Sequence, residues 1–391
     1  MRILFICGAL AAGEFAASFV PTFAEAWPVA VVLAVVVALF GYGLCVRGWP
    51  LAVVFFCGVA LFLLASVAQE RLYREKPWMR GRFRRERRSA VAADGLVAKA
   101  KASLSRRVGL GLDHDPEAAS LNRAILLGER YRLPRRMRQV FVASGTIHVF
   151  AISGLHVMAV ADVLVYLLAL FSVSRRLAGV AAIPLLWGYV CLIGWAPSAI
   201  RAALMATFCF LAPLCWRRPD LLRAWALAFL SIHVCRPLMI VNVGNVLSFA
   251  VMLAIALVVE CARRANRRAS GLRITVMAWA AGVPIAAHVF GQVAPGGILA
   301  NLVLITAAGW TVYTGAIGVI VSFVSETAAA HFNNLSALCT KAMVGVSEFV
   351  SRLPGSSFAV PRWTLLQCAE WYALIALIAL LVFLRRSRNV V

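Results

Sequence analysis

Acidic residues are scarce in this chain. Sixteen Asp and Glu stand against 39 Lys and Arg in 391 residues, a formal net charge of +23. Charge of either sign is thin, at 14% of residues, where a soluble domain carries about 25%. Histidine is limited to six positions, and none of the ten cysteines forms a C-x-x-C pair. That spacing excludes the usual zinc and dithiol motifs and leaves the cysteines, which sit in apolar runs, as small hydrophobes. No G-x-x-x-x-G-K-[ST] loop occurs, so the chain has no nucleotide-driven motor of its own. No cofactor and no metal is expected.

What is present is hydrocarbon. The chain is 62% hydrophobic, against about 45–50% in soluble domains. Apolar runs of about 20 residues alternate with short basic clusters, and about 20 residues of helix cross the roughly 30 Å of a bilayer interior. Backbone groups in lipid must pair within the protein, so these runs are read as helices. Candidate spans are 3–23, 28–46, 50–69, 148–172, 178–195, 198–216, 222–240, 243–261, 274–291, 298–324 and 364–384. Segment 335–353 is amphipathic, a further crossing or a surface helix. The expectation is an all-α polytopic integral membrane protein with about 10–12 transmembrane helices and added amphipathic surface helices. The first run is read as a spanning or re-entrant helix and not as a removed signal, because Glu14 interrupts it and no small-residue cleavage site follows.

Basic clusters at Arg175–Arg176, Arg217–Arg218 and Arg263–Arg273 recur after pairs of spans. They therefore share one face, the cytoplasmic one by the positive-inside rule. Segment 70–138, with 19 Lys and Arg against 8 Asp and Glu, then falls outside the cytoplasm. This divides the chain into N-terminal transmembrane helices (1–69), a basic extracytoplasmic segment with amphipathic helices (70–147) and a transmembrane domain (148–391). Arg80, Arg82, Arg84, Arg85, Arg87 and Arg88, interleaved with Tyr73, Trp78 and Phe83, have the composition of a phosphate-binding tract or of an anionic-lipid contact. Residues 116–145 read as helix, turn, helix, lying along the membrane surface.

Polar groups inside apolar runs mark candidate sites. "HVFAISGLHV" places His148, Ser153 and His156 at the start of a span, beside Gly145 and Gly154, which permit close backbone approach. "APSAIRAALMA" has Pro197 and Ser198 as a helix start with Arg201 a turn inside, either snorkelling or facing a wet cavity. Asn245 and Ser248 share a helix face, and Asn301 lies in "ILANLV". An interhelical hydrogen bond would explain each singly. Together they suit a hydrated pathway.

The order "AILLGERYRLPRRMRQVFVASGTIHVFAISGLHV", "PSAIRAALMA", "VGNVLSFAVMLAI", "ILANLVLI" resembles the competence domain of the ComEC family, from about Asn122 to Val303. The I-S-G-L-H-V block is the most specific part. The resemblance implies an inner-membrane channel, residues 148–391 here, that takes up transforming DNA as a single strand. His148, Ser153, Gly154, His156, Ser198, Arg201, Asn245, Ser248 and Asn301 would line its path. Two departures stand out. Asn245-Val246 replaces the family's glutamine and aromatic before L-S-F, and segment 70–117 is too short and too Arg-rich for the external OB-fold that most members carry. No H-x-H-x-D-H run occurs, so the chain is expected to hold no nuclease and to be no enzyme. The resemblance also implies partners: single-stranded DNA, anionic lipids, a cytoplasmic motor or strand-binding protein, a separate DNA receptor and nuclease, and a second copy of the chain.

Two other readings stay open. An ion or small-solute transporter would use the same intramembrane polar groups, although no inverted repeat is visible. An intramembrane hydrolase would pair Ser153 with His156 or His148, although residues three apart on one helix rarely address a common carbonyl.

Overall fold

The structure, a computed structural model, describes residues 95–150, 152–235, 239 and 242–388. The expected spans 3–23, 28–46 and 50–69 and the tract from Arg80 to Arg88 lie outside the described residues. The described chain is all-α and polytopic. Its helices are α1 (Gly95–Val108), α2 (Pro116–Leu127), α3 (Arg135–Ala143), α4 (Gly154–Leu170), α5 (Arg175–Leu192), α6 (Pro197–Leu211), α7 (Leu221–Cys235), α8 (Val243–Arg264), α9 (Gly271–Phe290), α10 (Gly296–Val321), α11 (Glu326–Arg352) and α12 (Leu365–Arg388). Among the described residues, five helices are long and apolar enough to cross a membrane: α5, α6 with its 3-10 extension to Cys215, α8, α9 and α10. Helices α4, α7 and α12 contain shorter apolar stretches. The protein is a membrane protein.

The chain divides into two compact units. One holds α1–α6, α10 and α11. The other holds most of α7 with α8, α9 and α12.

The first unit is built on the α10–α11 hairpin, which turns at Ser322–Ser325. Ser325 caps α11 by accepting from the Ala328 N–H. The seam between the two helices is small and polar. Gly318 faces Asn333, where an added Cβ would lie 2.8 Å from Oδ1, and Ser336 Oγ donates to the Thr311 carbonyl at 3.1 Å. Small residues let helix backbones approach closely where lipid supplies no hydrophobic drive for association. Helix α2 nests on this hairpin. Its N-cap Asp115 accepts from Ala118 N–H and pairs with Lys341 of α11 at 2.6 Å, and the hydrogen bond from Lys341 holds the Asp115 carboxyl below its ordinary range.

The surface placement expected for 116–145 is therefore wrong for α2, nine of whose twelve residues are buried. Its Ala-rich faces are narrow enough to enter the bundle, and Leu126 fills the space over Gly315 of α10. Helix α3 is amphipathic as expected, but Met137 and Phe141 turn into the protein core, where Phe141 meets the Phe150 ring edge-on at 4.6 Å. Segment 335–353 is the greater part of a continuous helix that begins at Glu326.

In the second unit, Pro284 interrupts α9. Proline lacks the N–H that would have bonded the carbonyl four residues earlier. That carbonyl, Ala280 O, receives Trp371 Nε1–H of α12 at 3.0 Å, and Tyr372 donates to Ala281 O at 2.8 Å. A backbone acceptor freed inside an apolar bundle is thus satisfied from the neighbouring helix, as a lipid environment requires.

Candidate functional site

Helices α4, α5 and α6 run up, down and up through a shared apolar core of Val157, Ala161, Leu186, Val190, Ala199 and Ala203. The N-termini of α4 and α6 therefore lie at the same end, away from Arg175. Ser198 Oγ donates to the Ile152 carbonyl just before α4. An added Cβ on Gly154 would sit 3.7 Å from the Ala202 methyl. The N-terminus of α10 joins them. Gly145, at φ +73°, packs against Ala294, and Gly297 lies over the Gly145 carbonyl. Asn301, in the first turns of α10, has a buried Oδ1 that meets no hydrogen-bond partner among the described residues. Three helix N-termini thus meet at one end of the unit. Each carries the partial positive charge of a helix start, although the first N–H groups of α10 are taken up by Ser356 O, Ala294 O and Pro295 O.

The 148–172 helix starts later than its sequence suggests. Residues Ile147–Phe150 form a 3-10 turn, and the α-helix begins at Gly154 with Ser153 as N-cap. His156, at the third helical position, reaches back as Glu or Gln does in a capping box. Its Nδ1 accepts from the Ser153 N–H at 3.2 Å and touches Ser153 Oγ at 2.9 Å. With Nδ1 accepting, a neutral ring carries its hydrogen on Nε2. Nε2 is buried and meets no partner among the described residues. The ring itself is 1% exposed.

Arg201 is 3% exposed, so it does not snorkel to a helix end and is enclosed by protein. Ser198 does not cap its own helix. Ala196 holds the N-cap position and Pro197 the first helical one, while Ser198 ties α6 to the chain before α4. The close-approach glycine is Gly145, whose added methyl would collide with the Ala294 side chain. Gly154 would accept a methyl in ordinary contact. His148, on the 3-10 turn, is exposed.

Two of the candidates lie in the other unit. Asn245 and Ser248 lie on α8, in the other unit. Asn245 is buried there, and its Nδ2 donates to Met239 O at 2.9 Å and approaches His233 Nε2 at 3.3 Å. His233 Nδ1 in turn bonds Phe229 O at 2.7 Å. Asn242 Oδ1 caps α8 by accepting the Asn245 N–H. Ser248 is half-buried.

One charged group escapes the sequence reading. Asp162 stands midway along α4 and accepts a hydrogen bond from the Tyr313 hydroxyl of α10 at 2.8 Å. A carboxylate inside an apolar run is a signal in itself. Its partner, more than a hundred residues away, is not legible from the sequence.

A family model described as "Competence protein" matches residues 125–385, well over half of the chain. The chain belongs to the competence protein family. Its similarity to "ComE operon protein 3" of Bacillus subtilis (strain 168) is 26% identity over 203 residues, 52% of this chain. The match covers 26% of that relative's length. No solved structure matches. The ComEC resemblance seen in the I-S-G-L-H-V and L-S-F blocks is thus the family of this chain, and those blocks are the ones that begin α4 and α8.

Proposed function

We propose that this ComEC-family protein takes part in competence DNA uptake, as a passage for single-stranded DNA across the inner membrane. The approach of the α4 and α6 N-termini, with Arg201 buried a turn inside α6 and the start of α10 packed against Gly145, carries the reading. A backbone phosphate entering the membrane needs positive charge and N–H donors without a permanent grip. Helix N-termini supply both, and conduction requires contacts weak enough to release. His156 Nε2–H is a further donor available to a phosphate or to its water shell. The passage does no chemistry. A cytoplasmic motor or strand-binding protein pulls, and a receptor and nuclease on other chains deliver the strand. Anionic lipids surround the basic face, and a second copy of the chain can complete the pore.

Two contacts favour rivals. Ser153 Oγ lies 2.9 Å from His156 Nδ1, a nucleophile–base distance. That same nitrogen is engaged by the Ser153 N–H, and no carboxylate orients Nε2 among the described residues, so the contact works as a helix cap. The Asp162–Tyr313 pair would suit a transporter of protons or small cations.

The test is purified protein in liposomes, with a fluorescent oligonucleotide outside and a trapped single-strand-binding protein as a sink. Protein-dependent entry of the oligonucleotide supports the passage. Entry of protons or small cations with no oligonucleotide would give the function to the transporter reading.

A further inference from the structure

Between α2 and α3 the chain turns sharply. Gly128 ends α2 in the left-handed region at φ 71°, a conformation that glycine adopts without cost. Arg130–Arg132 then form a 3-10 turn and Pro134 precedes α3. The turn exposes Arg130, Tyr131 and Arg132, and the first half of α3 exposes Arg135, Arg136 and Arg138. Glu129 lies 2.7 Å from Arg132, and Glu348 lies 3.3 Å from Arg136. Arg135 and Arg138 form no ion pair among the described residues. Tyr131 is 77% exposed, with the Arg132 guanidinium 5.5 Å from its ring centre.

We propose that this turn and the start of α3 form the docking rim for the incoming single strand, in which Arg135 and Arg138 hold phosphates and Tyr131 stacks on a base. The inference rests on the strand-passage reading above. Position supports it. The turn adjoins the α4 mouth: Gly128 packs on the Ile152 side chain, and Arg130 is near enough to His156 for its charge to act on the ring. Chemistry supports it too. Guanidinium groups interleaved with an exposed aromatic ring are the usual recipe for gripping single strands without sequence preference. A membrane surface is the less suitable occupant. A helix that lies in the lipid interface inserts a continuous apolar face, whereas the two largest apolar side chains of α3, Met137 and Phe141, are buried in the protein and Val142 is its one exposed large apolar group. What α3 leaves exposed is Arg135, Arg136, Arg138 and Gln139, with Val142 and Ala143 at its end.

The experiment uses the full chain in nanodiscs of zwitterionic lipid and a fluorescent oligo-dT, followed by anisotropy across a salt series. The paired variant Arg135→Gln/Arg138→Gln should weaken binding and flatten the log Kd against log salt slope by about 0.7 per lost contact. Tyr131→Ala should weaken binding roughly tenfold, within the range for one stacked base, while Tyr131→Phe keeps wild-type affinity. All three changes are at exposed positions, and monodispersity on size exclusion checks the fold. Wild-type protein that binds with affinity and slope unchanged in the variants overturns the rim and leaves the passage reading standing. Wild-type protein that binds no oligo-dT overturns both. A paired variant that loses only its preference for phosphatidylglycerol vesicles, with oligo-dT binding intact, gives the arginines to lipid and overturns the rim.

Discussion

Two buried histidines begin from similar surroundings and end differently. His233 sits at the end of α7 against the N-terminus of α8, and His156 sits in the first turn of α4. Both are buried, and both reach a residue near a helix N-terminus. At His233 both ring nitrogens are engaged, by Phe229 O and by Asn245 Nδ2. Phe229 and Phe249 pack about the ring at 4.0 and 5.7 Å between centroids. At His156 one nitrogen is engaged and the other is not, and Arg201 and two further helix N-termini stand in the same end of the unit. A polar network that is closed on itself has nothing left to offer a ligand and acts as internal adhesive. An open one costs about 1–3 kcal/mol for each unmade bond, and such a cost persists where water or a ligand visits. The contrast gives the second unit's histidine a closed structural network and leaves the first unit's with a donor that the proposed passage would use.

The sharpest way to break this contrast is Arg201→Gln. If the first cluster serves transit, transformation by a selectable marker should fall about a hundredfold, since a hydrogen bond to a charged group contributes up to about 3 kcal/mol. Membrane levels on a blot should stay near wild type. A collapse of those levels would make Arg201 a packing residue and erase the distinction.

Asn245→Ala is the complementary change. It leaves His233 Nε2 without its donor and removes the bond to Met239 O, so it should cost about 1–3 kcal/mol. The readout is a thermal melt in detergent, shifted down by several degrees, with uptake per folded molecule unchanged. Lost uptake at full stability would move the second network into the pathway.

The smallest effect is expected from Ser153→Ala. It removes a hydroxyl at an N-cap, worth about 1 kcal/mol, and one weak donor to a passing strand. Transformation should drop less than tenfold, and His156→Gln, which keeps a capping-box side chain at that position, should be equally mild. Abolition by Ser153→Ala with normal membrane levels would revive the hydrolase, in which the nucleophile is indispensable.

The apolar runs and basic clusters were enough to determine the all-α membrane class and most helix positions, because the demand that lipid-embedded backbone pair with itself is local to each run. Capping residues were legible for the same reason: Pro116 and Pro197 mark helix starts by their own geometry. The I-S-G-L-H-V block, with His156 three residues after Ser153, marked the family and the start of α4. What no local pattern carries is which faces meet. Only packing decided that α2 sinks into the α10–α11 hairpin, since its burial depends on Gly315 and Asn333 two hundred residues away. Only packing closed Asn245 into a network with His233 and the Met239 carbonyl, and only packing brought Tyr313 to Asp162. Side-chain types and spacing are properties of the chain. The closure of one histidine's bonds and the openness of the other's come from helices that meet across the fold, where long-range contact selects among partners that the sequence leaves equally possible.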